Sequence, residues 1–94
     1  MELSERYIQK LEDEGFTSVY EHQDPAGTVY EEHSHQGKVS IFVTDGSITF
    51  TVAGEKKEIV ATKRLDIPAN TPHSAVVGPA GWIGIIGEEI VGDS

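Results

Sequence analysis

The alternation of apolar and polar positions changes period once along this chain. Leu3, Tyr7, Ile8 and Leu11 fall at helical spacing. The pattern predicts a short amphipathic helix over 4–14, with Ser4 as N-cap and Glu5 in the first turn against the helix dipole. Gly15 sits where a left-handed C-cap residue belongs. Beyond Gly15 the period is two. Short runs rich in Val, Ile, Thr, Phe and Tyr predict strands over 17–22, 27–35, 38–44, 47–52, 56–61, 73–77 and 82–87. Asp45-Gly46 reads as a hairpin turn and Gly54 marks a second. Asp24-Pro25-Ala26-Gly27 and Pro79-Ala80-Gly81 read as loops. Short strands at regular spacing predict an all-β barrel or sandwich, with the N-terminal helix as its lid or buttress.

Composition narrows the class. The 94 residues fit one domain with a modest core. The expected division is a helix at 1–16 packed on a barrel at 17–94. There is no cysteine, which removes disulfides, thiolate ligands and a cysteine nucleophile and fits a reducing cytoplasm. The formal net charge is −9, from 7 Lys and Arg against 16 Asp and Glu. Such a chain repels nucleic-acid phosphates and anionic membranes. No apolar stretch approaches the ~20 residues that span a bilayer, and MELSERYIQK lacks the apolar segment of a signal peptide. The expectation is a soluble, cytoplasmic protein.

The candidate chemistry is carried by histidine. His33-Ser34-His35 places two imidazoles on one face of a strand, about 7 Å apart along the backbone, where both can aim at one ion. His73 follows Pro68-Ala69-Asn70-Thr71-Pro72, a corner stiffened by proline. Neutral imidazole is the commonest ligand for Zn, Fe, Ni and Cu.

These residues resemble the two motifs of the cupin superfamily. The first motif is H-x-H, three or four residues, Glu, six residues, Gly. The second is Gly, five residues, Pro-x-Gly, two residues, His. His33, His35 and Gly46 match the first; Ile67-Pro68-Ala69-Asn70-Thr71-Pro72-His73 matches the second, with Asn70 in place of Gly. Asn is the natural substitute, since it tolerates a left-handed backbone. The resemblance spans roughly residues 17 to 89. It implies a jelly roll, the double-stranded β-helix, holding one divalent transition metal (Fe, Mn, Ni, Zn or Cu) through His33, His35 and His73.

The chain departs from the pattern at the motif's Glu, which falls on Val39, and at the second motif's first Gly, which is Thr62. The missing carboxylate leaves three implications open. One is a three-histidine centre, as in the thiol dioxygenase branch, with oxygen-dependent or isomerising chemistry on a small molecule. Another is a non-catalytic binding or sensor module; a structural partner protein with a vestigial site is a third. Glu31 has the parity of His33 and is the candidate extra ligand. Gln36 and Lys38 have the wrong parity unless a bulge intervenes at Gly37, nothing places Asp66 or Glu58 in the pocket, and His22 reads as a surface residue. Val39, Ile41 and Val43, with Ile48, Phe50 and Val52, and Ala75 with Val77, read as apolar pocket wall suited to a small ligand. Phe42 points outward, which fits either a homodimer contact or cover by the helix.

Overall fold

The computed structural model describes residues 2–91. The helix α1 spans Leu3–Asp13. Its N-cap is Glu2, with no side-chain cap, so the Ser4 cap is not used. Its C-terminus closes on a Schellman pair: Gly15 N–H donates to Glu12 O and Phe16 N–H to Leu11 O, with Gly15 at φ +97.

Six strands follow: β1 Ser18–Asp24, β2 Val29–His33, β3 Val39–Val52, β4 Glu55–Val60, β5 Arg64–Ile67 and β6 His73–Glu88. The long strands β3 and β6 pair antiparallel along their whole length and form the spine. The N-terminal half of β3 pairs with β5 and the C-terminal half of β6 with β1. The other halves pair with β4 and β2. Two four-stranded layers result, β1-β6-β3-β5 and β2-β6-β3-β4, joined by strands that run through both: the double-stranded β-helix.

The expected hairpin at Asp45-Gly46 and loop at Pro79-Ala80-Gly81 are therefore corrected. Both lie inside continuous strands, where the chain bends from one layer to the other through facing register shifts. The bend needs glycine on each side. Gly46 has φ +74 and Gly81 φ +77, and a Cβ on Gly46 would lie 2.0 Å from Gly81 O. A tight turn does occur at Ala53-Gly54, where φ values of 50 and 83 give the two left-handed residues of a type I′ hairpin between Val52 and Glu55. The short strand β5 is an element the hydrophobic pattern did not predict.

The inner faces of the layers enclose the main core, including Val43, Ile48, Ile67, Val77 and Trp82. Against the outer face of the β1-β6-β3-β5 layer, α1 buries Leu11, Phe16, Phe42 and Ile85. Phe42 is thus covered by the helix: its ring stacks on Tyr7 at 4.0 Å, and the Arg64 guanidinium lies 5.0 Å from its centre. Arg64 also makes a bidentate pair with Glu14, at 2.8 and 2.6 Å, tying the end of α1 to β5. That pair holds the Glu14 carboxyl down at about 2.

Candidate metal centre

The second-motif corner takes the backbone its glycines would supply. Asn70 has φ +59 and Thr62 φ +73. Asn adopts this conformation readily; a β-branched threonine does so at a cost. Asn70 N–H donates to His35 O at 2.7 Å, so the corner that precedes His73 also fixes the segment carrying His35.

This brace brings the three histidines together. His33 at the end of β2 is the cross-strand partner of His73 at the start of β6. Ring centroids lie 4.4 Å apart for His33–His73, 4.9 Å for His33–His35 and 5.2 Å for His35–His73. One nitrogen from each ring falls within 4.8 Å of the others. His33 Nδ1 bonds Glu31 O at 2.7 Å and His73 Nδ1 bonds Thr71 O at 2.9 Å. A carbonyl only accepts, so both rings are protonated at Nδ1 and present a bare Nε2, the arrangement a metal-binding histidine needs. Burial, helped by the proximity of the other two rings and opposed by the bond to Thr71 O, holds His73 below its ordinary pKa, which favours the neutral ring. The donor set fits a divalent transition metal.

The rings open on a cavity of about 290 Å³. Val39, Ile41, Phe50 and Ala75 line it, together with Ile48 and Ile86. Glu31 does not. A register shift inserts one extra residue between Tyr30 and His33, breaking the parity that would have turned Glu31 inward; its side chain is exposed and lies outside the histidine cluster. Gln36 is exposed. Lys38 lies over the Phe16 ring at 5.3 Å, away from the rings. Asp66 accepts from Ser40 and Arg64.

His22 is a correction: it lines the cavity. On β1 the alternation Tyr20, His22, Asp24 faces inward, opposite Ile86, Gly84 and Trp82. Asp24 accepts from Tyr30 O–H at 2.5 Å and Trp82 Nε1–H at 2.8 Å, with His22 Nε2 at 3.3 Å. His22 Nε2 is also 3.0 Å from the Tyr30 hydroxyl. Burial would raise the Asp24 carboxyl, but these donors outweigh it and hold it below its ordinary value. Burial and Asp24 together push the Tyr30 hydroxyl up to about 12. Tyr20, Tyr30, Trp82 and Glu88 complete the wall. The period-two run Tyr20-Glu21-His22-Gln23-Asp24 was the available sequence signal for this polar side.

No protein-family model matches the chain, and no curated protein matches it in sequence. Solved structures do match its fold. KdgF from a Halomonas species superposes with a TM-score of 0.67 at 20% identity, over 78% of this chain and 68% of that one. An RmlC-like cupin from Shewanella frigidimarina gives 0.69 at 23% identity, over 77% and 65%. The DMSP lyase DddQ from Ruegeria pomeroyi gives 0.72 at 18% identity, over 81% of this chain but 39% of that one. Among the described residues no helix is long and apolar enough to cross a membrane. The order of strands, the bent spine and these neighbours agree that the chain has the cupin fold, as a small β-barrel whose cavity is lined by three clustered histidines.

Proposed function

We propose that the protein binds one divalent transition metal through His33, His35 and His73 and presents it to a small organic ligand in the cavity. The observation that carries this reading is the paired tautomer lock: backbone carbonyls hold His33 and His73 by Nδ1 and leave both Nε2 atoms bare beside the third ring. A bound ion there supplies Lewis-acid polarisation and a template for an incoming group. The chain's own residues do the rest. The apolar wall around Val39, Ile41 and Phe50 excludes water from the ligand's carbon skeleton, and His22 with Tyr30 offers a polar station for its far end. With three neutral nitrogens as donors, the centre favours anionic ligands such as carboxylates.

Oxygen-dependent or isomerising chemistry fits such a centre. The absence of a carboxylate at residue 39 favours the second reading, a binding or sensor module that performs no reaction. Metal analysis of the purified protein tests the shared premise: near-stoichiometric divalent metal is expected, lost in the His33→Ala/His73→Ala double variant, and equal content in both proteins would overturn it. Turnover that a chelator abolishes then marks an enzyme; ligand-dependent melting without turnover marks a binding module. A homodimer would show as a doubled mass in light scattering.

A further inference from the structure

The motif's missing carboxylate has a neighbour. Val39 on β3 and Glu88 on β6 are direct cross-strand partners. Partners in an antiparallel pair face the same side of the sheet, and both residues line the histidine cavity. They also share a second concavity with His35. Among the described residues, Glu88 is the one carboxylate lining the histidine cavity. It is half-buried, and Tyr20 lines the same wall of the cavity. The next residue, Glu89, is exposed, and its carboxylate accepts from the Lys38 backbone N–H at 3.4 Å.

We infer that Glu88, which lines the cavity but stands outside the cluster of three rings, is the carboxylate of this centre, brought to the ion from β6 by a side-chain rotation or through a bound water in place of the one that residue 39 lacks. The inference rests on the metal reading above. Its physical basis is charge and reach. Three neutral imidazoles leave an ion's two charges uncompensated in an apolar cavity, where a nearby anion is worth most. Adjacent strands lie about 4.7–4.9 Å apart, a displacement that an extended glutamate arm spans. A hydrogen bond from the neighbouring Tyr20 hydroxyl would occupy one side of the carboxylate and leave the other lone pairs free for the ion or for a water bound to it. On this inference Tyr20 acts as a positioning residue. Burial, followed by Glu88, pushes its hydroxyl up to about 12, so at neutral pH it stays a donor.

Titration of the full chain with cobalt(II), followed by calorimetry, tests this. Glu88→Gln is isosteric and should bind cobalt 10- to 100-fold more weakly, with the melting temperature of the metal-free protein unchanged. Glu89→Gln removes the same charge one residue away and should leave affinity within twofold. Tyr20→Phe should weaken binding less than Glu88→Gln and have no effect in the Glu88→Gln background, which a merely structural role would not produce. Equal losses at Glu88 and Glu89, or no loss at Glu88, overturn the inference while leaving the three-histidine site standing. A wild-type protein that takes up no cobalt overturns both.

Discussion

His33 and His73 face each other directly across the β2–β6 ladder, their rings 4.4 Å apart, yet one is exposed and the other buried. The two should therefore fail differently. His33→Ala removes a ligand at little structural cost, since exposed substitutions usually stay within about 0.5 kcal/mol. His73→Ala removes the ligand and leaves a hole beside its cross-strand partner Val52, and should also lower the melting temperature of the metal-free protein. Paired metal titrations and melts of the two variants check this. Equal destabilisation by both would contradict the difference in burial.

The depressed pKa of His73 makes stability depend on pH. Between its folded value and the ordinary one of about 6.5, the unfolded chain binds a proton that the folded chain does not. Stability is thus fully present above about 6.5 and falls as pH drops toward the folded value. Metal affinity should fall over the same range, because only neutral imidazole coordinates. Urea midpoints at a series of pH values, with and without metal, give the measurement; a flat midpoint across mildly acidic pH would contradict it.

The three histidines were legible in the sequence because motif spacing and strand parity both pointed at them. The long strands were not. Asp45-Gly46 carries the composition of a hairpin, and nothing local distinguishes a turn from a layer-switching bend; what decides it is Gly81 approaching Gly46 from a strand 35 positions away. The parity that seemed to turn Glu31 inward was cancelled by a bulge, which no alternation pattern reveals. His22 and Glu88 were missed for a related reason. Each belongs to a strand at the chain's end whose inward face becomes visible only when β1 and β6 are paired.

Thr62 occupies the left-handed conformation of a motif glycine at φ +73. Such strain costs about 1–3 kcal/mol, partly offset in a Gly variant by the entropy of its unfolded chain. Thr62→Gly should raise stability by about 1 kcal/mol in denaturant unfolding. A loss would mean that the threonine side chain makes a compensating interaction.

Asp24 is the hub of the hydrogen-bond network behind the cavity's polar wall, bonded to Tyr30, Trp82 and His22. Asp24→Ala leaves the Trp82 Nε1–H and the Tyr30 hydroxyl without their acceptor, and each stranded donor costs about 1–3 kcal/mol. Tyr30→Phe removes a donor and its demand together, and should cost about 1 kcal/mol. The contribution of Asp24 is present above the ordinary aspartate value of about 3.9 and lost as pH falls through its lower folded value. Denaturant melts of both variants check the order. Asp24→Ala no worse than Tyr30→Phe would show that the network is not a structural unit.

Val39 is 6% exposed and faces the histidine cavity from the strand position where the cupin motif places its glutamate. Val39→Glu restores that carboxylate. It should cancel one charge of a bound ion, tighten metal binding and weaken the binding of anionic ligands to the metal. The new side chain also buries an acid and loses packing, so the metal-free form should lose about 1–3 kcal/mol. Glu88 sharpens the expectation. A glutamate at 39 stands directly opposite it, and like charges in a cross-strand pair destabilise each other. The gain in metal affinity should therefore be larger, and the metal-free penalty smaller, when Val39→Glu is made in the Glu88→Gln background. This is a double-mutant cycle whose coupling term has a stated sign. Metal titrations and metal-free melts of the four proteins supply it. If Val39→Glu binds metal no better than wild type, or melts lower by the same amount with and without metal, residue 39 does not face the ion. If the two substitutions are simply additive, the carboxylates do not share one site.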